Sequence, residues 1–199
     1  CAPPLLLLSN PFPVVLWGMP RGIRRWVGSH FYRDAGFRRA LVLLARPGLI
    51  WLYFVVMYVG WHDPVAYDAA LRSDLIHDIE HLSFFTASLF FWWHVTVAGP
   101  RVHGRFPYGW RIAFLLLMVP VNMLTGMTIT FSRQPIYRYY MDVPRPWGLT
   151  VMEDQMLGGA IMWIPGSMML LIAVLVIVAR VLVLQEGSAV KMSDAVTGS

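Results

Sequence analysis

Four apolar runs dominate the chain, and each is long enough to cross a lipid bilayer. Run A covers Ala40 to Gly60, run B Leu75 to Ala98, run C Ile112 to Phe131, and run D Val151 to Ala179. A membrane-spanning helix needs roughly 20 mostly apolar residues. Inside lipid every backbone group must find its partner within the protein, which favours helices. The sequence therefore predicts an all-α fold: a polytopic transmembrane helix bundle with four full spans.

A fifth, partial segment lies at the start of the chain, over residues 2–19. Its prolines, Pro3, Pro4, Pro11 and Pro13, are typical of a helix end followed by a stretch near the membrane interface. We expect the chain to begin inside a longer protein, so that the transmembrane helical domain over 1–184 lacks upstream helices. Residues 185–199 are predicted to form a polar C-terminal tail.

The composition agrees with lipid as the main solvent. The chain is 57% hydrophobic and 14% charged, whereas soluble domains carry about 25% charged residues. The formal net charge of +5 does not indicate nucleic acid as a partner, because the basic residues lie in short loops between apolar runs. The single cysteine, Cys1, excludes an intrachain disulfide and a Cys-x-x-Cys site.

The distribution of basic residues predicts an orientation in the membrane. Most of the 16 Lys and Arg residues precede run A, separate runs B and C, or follow run D. The positive-inside rule places these loops in the cytoplasm. We therefore expect a multi-pass membrane protein, with the acid-rich ends of the spans on the outside.

Run B begins with ionisable residues in the stretch SDLIHDIEHLSFF. At 100° per residue, His81 lies about 40° from His77 around the helix, and Glu80 lies about 60° away on the other side. Two His residues at i and i+4 have the spacing at which one helix can hold a metal ion. We expect His77, Glu80 and His81 to face the protein interior. His94 lies far from them around the helix, and its replacement by Ala is expected to be nearly silent.

Two simpler interpretations of this stretch remain open. The acids could only complement the positive end of a helix dipole, and the two histidines could lie among lipid headgroups. Intramembrane ionisable groups are functional candidates by default, either as metal ligands or as proton carriers in a wet cavity.

Other candidate ligands are predicted at the same outer level. His62 lies in the motif GWHDP at the end of run A, and Asp154 opens run D. Met123 and Met127 share one face of run C, and thioether sulfur suits Cu(I). Met also fills apolar cores, and Glu153 and Asp154 could simply cap their helix. The set favours an outward-facing copper site or a proton-linked polar pocket.

Several enzyme classes are excluded by the absence of their motifs. The sequence has no Gly-rich phosphate loop, no Gly-x-Ser-x-Gly and no His-Glu-x-x-His. A nucleotide site, a serine hydrolase of that type and a zinc hydrolase of that type are therefore not expected.

Four stretches together resemble one family. They are APPLLLLSNP, WHDPVAYDAAL in the loop after run A, HDIEHLSFFTASLFFWW in run B, and DQMLGGAIMWIPG in run D. In this order they resemble the CtaG family of cytochrome c oxidase assembly factors, which are polytopic bacterial membrane proteins. The resemblance implies a bundle of about seven helices and a role in maturing a haem–copper oxidase, linked to copper delivery.

The family's polar motif positions fall on particular residues of this chain. They are His62, Pro64, Tyr67, His77, Glu80, His81, Asp154, Gln155, Gly158 and Gly159. The chain departs from the family at Ser9-Asn10, where Gly-Ala is usual, and at His94, where Pro is usual. The family also begins earlier, with further helices and a His-bearing segment.

Two functions follow from these residues and the resemblance. The first is a non-enzymatic assembly factor that holds or passes copper at the outer membrane face to oxidase subunits. The resulting metal-site prediction comprises His62, His77, Glu80, His81, Met123, Met127 and Asp154. The second is a structural accessory subunit of a respiratory or photosynthetic complex. Haem or quinone binding is a third alternative, for which His62 and His77 could supply haem ligands.

Overall fold

The structure, a computed structural model, describes residues 2–9, 17–26, 35–98, 106–144 and 148–197. Throughout these ranges the regular elements are helices and no strand occurs, so the predicted all-α class is confirmed. Parts of the arginine-rich loops, at 27–34 and 99–105, lie outside the described residues, as do Cys1 and Asn10.

The described helices follow the apolar runs, with additional breaks. We number them α1 (Ala2–Leu8), α2 (21–26), α3 (Ala35–Leu44), α4 (Pro47–Trp61), α5 (Pro64–Arg72), α6 (Asp74–Thr96), α7 (Tyr108–Leu116), α8 (Met118–Thr130) and α9 (Val151–Thr197). A short 3-10 helix covers Arg138–Met141. Helix α9 continues beyond the apolar run D into the segment that was expected to be a polar tail.

The expectation of four full spans is wrong for the described residues. Two stretches have the length and composition of a span: Tyr108–Thr130, which joins α7 and α8 across the turn at Leu117, and Val151–Gly187. A third results if the bent pair of α4 and α5 counts as one span. Runs C and D are thus found as predicted, and runs A and B are not found as single straight spans.

The reasons lie in the sequences of runs A and B. In run A, Pro47 starts a new helix, so Ala40 to Leu44 belong to α3 and α4 keeps only 15 residues. Such a helix is about 22 Å long, short of the roughly 30 Å hydrocarbon core. In run B, α6 has 23 residues, but the acids and histidines of its first turns, followed by hydroxyl residues, lower its mean hydropathy.

The chain forms two compact units. The first comprises Cys1–Phe106 with Tyr137–Val143, and the second Pro107–Ile136 with Pro144–Ser199. In the first unit α6 is central, because α1, α4 and α5 all pack against it. Phe91 of α6 is fully buried, and its ring stacks on Phe54 of α4 with centroids 4.6 Å apart.

Side-chain hydrogen bonds also join α4 to α6. The Trp61 indole donates to the Ser83 hydroxyl at 2.7 Å. The Tyr53 and Thr86 hydroxyls lie 3.1 Å apart and share a second hydrogen bond. Polar groups of α6 therefore find their partners within the protein, as apolar surroundings demand.

The motif WHDP produces a sharp change of direction between α4 and α5, which are bent by 72° at the break. Asp63 has an extended backbone and caps α5, because its carboxylate accepts from the amides of Val65 and Ala66 at 3.0 and 3.3 Å. Pro64 occupies the first helical position, where the missing amide hydrogen costs nothing. The motif thus ends one helix and starts the next.

Loss of the Asp63 cap should destabilise α5 selectively. We expect Asp63→Ala to lower the free energy of unfolding by about 1 kcal/mol. Asp63→Asn should keep most of the stabilisation that the cap provides, because Asn caps equally well. Hydrogen exchange in detergent measures the effect, with faster exchange of the Val65 and Ala66 amides in the alanine variant only. Equal exchange in both variants would show that the cap contributes nothing.

In the second unit, α9 packs against α7 and α8, and two glycines allow a close approach between α8 and α9. A Cβ atom placed on Gly126 would lie 2.3 Å from the Trp163 Cβ, and one on Gly159 would lie 2.6 Å from the Thr130 hydroxyl. Asn122 is buried, and its amide donates to the Trp163 carbonyl at 3.0 Å and to the Ser167 hydroxyl at 2.9 Å. Small residues and a polar crosslink thus hold these helices together.

Candidate functional site

Two histidines of α6 lie in direct contact, one turn apart on the same face. The Nε2 atoms of His77 and His81 are 3.0 Å apart, and the ring centroids are 4.5 Å apart. This contact follows from the i, i+4 spacing, because helical side chains at that spacing lie one above the other. One of the two Nε2 atoms is protonated and donates a hydrogen bond to the other, which accepts it.

Glu80 lies beside this pair on the more buried side of α6. Its carboxylate is 3.9 Å from Nδ1 of His77, and its side chain is 13% exposed, whereas that of His77 is 47% exposed. The Glu80 charge also acts on His62 and Tyr67, which places it toward the interior of the first unit. Glu80 is therefore positioned behind the two rings, with its charge facing His77 Nδ1.

Of the three residues of α6 that were expected to face the protein interior, only Glu80 does so. His77 and His81 are both exposed in the described chain, so for these two residues the expectation is wrong. Their exposure follows from the packing of α1, α4 and α5, which cover other faces of α6. The pair is consequently open to a ligand or partner that approaches from outside the described residues.

His62 lies at the break between α4 and α5 and is mostly enclosed. Its Nδ1 donates to the Tyr58 carbonyl oxygen, which can only accept, so Nε2 is the nitrogen left to act as an acceptor or ligand. The ring contacts Tyr58 on one side and the edge of Phe84 on another, with centroids 4.9 and 6.0 Å apart. Local hydrogen bonding and packing therefore fix its orientation.

A tyrosine cluster closes over α5 and was missed by the sequence analysis. The Tyr67 and Tyr137 rings have centroids 4.2 Å apart, and the Tyr67 and Tyr140 hydroxyls are 3.3 Å apart. Tyr137 donates to the His62 carbonyl at 3.2 Å. The only signal was the aromatic density of IYRYYM at 136–141, which has no helical period.

The pKa of Tyr137 is raised to about 12, mainly by burial and to a smaller extent by the nearby Tyr140, Asp63 and Asp68. Burial disfavours the charged phenolate, and the neighbouring carboxylates repel it. The Tyr137 hydroxyl therefore stays protonated at neutral pH and keeps its donated bond to His62. The cluster holds the segment from Tyr137 to Val143 against α5.

The remaining predicted ligands belong to the second unit. Met123 and Met127 are half-buried, one turn apart on α8, and Asp154 is half-buried in the first turn of α9. Glu153 forms a capping box with Thr150: the Glu153 carboxylate accepts from the Thr150 amide and hydroxyl, and the Thr150 hydroxyl accepts from the Glu153 amide. The predicted capping role thus holds for Glu153.

Gln155, another motif position, connects α9 by hydrogen bonds to the end of α8 and to the loop that follows it. Its side-chain oxygen accepts from the Ile136 amide at 2.6 Å, and its nitrogen donates to the carbonyls of Ile129 and Gln134. Of the adjacent glycines, Gly159 lies against Thr130 and Gly158 has open space around it. These three motif residues therefore have different structural roles.

His94 is buried, which argues against the expectation that its replacement by Ala is nearly silent. It is 8% exposed, its Nε2 lies 2.9 Å from the Ala45 carbonyl oxygen, and its Nδ1 lies 2.9 Å from the Phe90 carbonyl oxygen. The first contact joins α6 to the link between α3 and α4. A helical wheel places His94 away from His81 but contains no information about this distant partner.

No three side chains of His, Cys, Asp or Glu converge on a common point within the described ranges. Among the described residues, His77 and His81 do bring two imidazole nitrogens within 3.0 Å of each other. Two nitrogens are half of the donors that a four-coordinate metal site requires.

Comparisons with known proteins give relatives without a described function. The chain is 30% identical over 190 residues to uncharacterized proteins of Mycobacterium bovis and Mycobacterium tuberculosis, and 25% identical over 189 residues to one of Mycobacterium leprae. These matches cover 90%, 90% and 89% of the chain, but only 27% of each relative. The chain thus spans about a quarter of the length of these relatives. No solved structure matches it.

The family comparison covers far more of the chain than any single motif. The model of the cytochrome c oxidase caa3 assembly factor family matches residues 1–183, which include α1, the WHDP bend, the His77–His81 pair and the glycine-lined contact of α9. The chain belongs to the cytochrome c oxidase caa3 assembly factor family.

Proposed function

We propose that this chain acts as a membrane assembly factor that holds or passes copper to a haem–copper cytochrome c oxidase. The copper is cargo and no substrate is turned over. We place the exchange site at His77 and His81, on the outer face of the bacterial inner membrane. The observation that carries the proposal is the exposed pair of imidazole nitrogens 3.0 Å apart.

The donor set fits a copper ion. Imidazole is a common copper ligand. Two nitrogens each about 2 Å from one ion, at tetrahedral or right-angle geometry, are themselves roughly 2.8 to 3.4 Å apart, and the His77–His81 separation falls in this range. Glu80 faces Nδ1 of His77 and favours the tautomer that keeps the proton there, which leaves Nε2 available.

The exposure of the pair suits transfer better than storage. Two nitrogens leave further coordination positions for ligands of a donor or acceptor protein, and an ion can then move by exchange of ligands. The half-buried Met123 and Met127 offer sulfur donors for Cu(I) in the second unit. His62 and Asp154 complete the set of proposed copper-handling residues.

The double variant His77→Ala/His81→Ala tests the proposal. We expect its level in the membrane to stay near wild type, because both side chains are exposed and little apolar contact is lost. Oxidase activity in copper-limited cells should fall several-fold, and added copper should restore part of it. Asp78→Asn is the matched control, since it changes an exposed polar residue of the same helix outside the pair.

Full oxidase activity of the double variant under copper limitation would overturn the copper proposal. Co-purification of the chain with a larger complex in a fixed ratio, with or without the two histidines, would then identify it as a structural accessory subunit. Elemental analysis of the purified protein provides a separate readout, because the proposal requires less bound copper in the double variant.

A further inference from the structure

A short basic segment at residues 17–26, WGMPRGIRRW, is described by the structure but not used by the proposed function. Residues 21–26 form α2, and the Arg24 amide donates to the Pro20 carbonyl at 3.1 Å at its start. Pro20 directly precedes the helix. The absence of an amide hydrogen costs nothing there, because an amide at this position would have no partner within the helix. The segment is therefore a defined helical turn and a half.

The residues of α2 separate by chemistry around the helix axis. At about 100° per residue, Arg21, Arg24 and Arg25 fall within an arc of roughly 100°. Ile23 and Trp26 lie about 60° apart on the opposite side. A helix with arginines on one face and Trp and Ile on the other has the pattern of a segment that lies in a membrane interface.

Both faces are largely solvent-exposed in the described structure. The arginines are exposed, and so are Trp26 at 62%, Ile23 at 50% and the nearby Trp17 at 81%. An apolar face this exposed would be costly in water. Indole rings are enriched at the level of lipid headgroups, where an apolar body and a polar edge are both accommodated.

We infer that residues 17–26 form a docking surface for anionic lipid: the Trp and Ile side chains enter the upper acyl layer, and the arginines bind headgroup phosphates. The charge of Arg21, Arg24 and Arg25 is complementary to an anionic leaflet. The large apolar side chains beside them favour lipid over an acidic protein segment, which would satisfy the arginines but leave Trp17 and Trp26 in water. This inference does not depend on copper handling.

A fluorescent probe at position 22 can test the surface in the whole chain. A Cβ atom on Gly22 would meet nothing within 4 Å, so Gly22→Cys accepts a label without disturbing the fold. Cys1 is replaced by Ser so that the label is unique. The labelled protein is placed in nanodiscs of phosphatidylcholine alone or with phosphatidylglycerol, and quenching by lipids spin-labelled near the headgroup is measured at low and high salt.

We expect strong quenching in phosphatidylglycerol nanodiscs at low salt and weaker quenching in phosphatidylcholine or at high salt. Each arginine near an anionic surface contributes about five-fold to binding. The double variant Arg24→Gln/Arg25→Gln should therefore reduce the preference for anionic lipid roughly 25- to 30-fold. The matched control Arg133→Gln/Arg138→Gln removes the same charge from exposed positions elsewhere and should keep the preference.

Two results would overturn the inference. One is equal quenching in neutral and anionic nanodiscs at low salt. The other is equal loss of the preference in both double variants, which would assign the effect to net charge alone. A probe response to a soluble acidic peptide that exceeds the response to phosphatidylglycerol would identify a protein partner instead and would equally reject lipid.

Discussion

Gly159→Ala should lower the thermal unfolding midpoint of the detergent-solubilised protein by about 5–10 °C. A Cβ atom at this position would lie 2.6 Å from the Thr130 hydroxyl and 2.8 Å from the Thr130 backbone nitrogen. Because a backbone atom is involved, a change of side-chain rotamer alone does not relieve the clash, and α8 has to move away from α9. Overpacking of this kind costs about 1–3 kcal/mol, which corresponds to a shift of several degrees for a chain of this size.

The neighbouring glycine provides the control. A Cβ atom on Gly158 would meet nothing within 4 Å, so Gly158→Ala should leave the midpoint unchanged or raise it slightly, because Ala favours helix more than Gly does. The two variants differ by one position and add the same methyl group. Equal midpoints for both would show that α8 and α9 do not approach each other at Gly159.

His94→Ala should destabilise the first unit at least as much, by about 2–4 kcal/mol. The substitution removes a buried ring and leaves the Ala45 carbonyl without its hydrogen bond across the helices. An unsatisfied buried acceptor costs about 1–3 kcal/mol, and the cavity adds to this. Thermal unfolding in detergent measures the loss.

Two further variants separate the causes of the His94 effect. His81→Ala makes the same change at an exposed position of α6 and should shift stability by no more than about 0.5 kcal/mol. His94→Gln should recover part of the loss, because its amide can donate one hydrogen bond. If His94→Ala unfolds at the same temperature as His81→Ala, the bond to Ala45 does not stabilise the protein.

The sequence predicted the helical class and the positions of runs C and D because uninterrupted apolar length is a strong, local signal. It failed for run A, where Pro47 divides what hydropathy alone reads as continuous. It failed for run B, where length was sufficient but the polar residues of α6 were underestimated. In both runs the number of apolar residues was sufficient for a span. The proline of run A and the polar residues of run B are the reason that neither forms a single straight span.

For the candidate site too, local features were predictable from the sequence, and features that depend on distant contacts were not. The contact between His77 and His81 was predictable, because helix geometry alone fixes side chains at i and i+4. Their exposure and the burial of His94 were not, because each depends on which helices pack against α6. The cluster around Tyr137 was also missed, since its members come from segments about 70 residues apart.

Because the chain is synthesised from its N-terminus, we expect the polar start of α6 to influence membrane insertion. A helix that brings Asp74, Asp78 and Glu80 to the translocon partitions poorly into lipid by itself, because each carboxylate raises the insertion free energy. Helix α4 emerges first, with Tyr53 and Trp61 ready to pair with hydroxyls of α6. We therefore expect α6 to enter the membrane packed against α4 and not as an independent span, in agreement with its absence from the stretches that have the composition of a span.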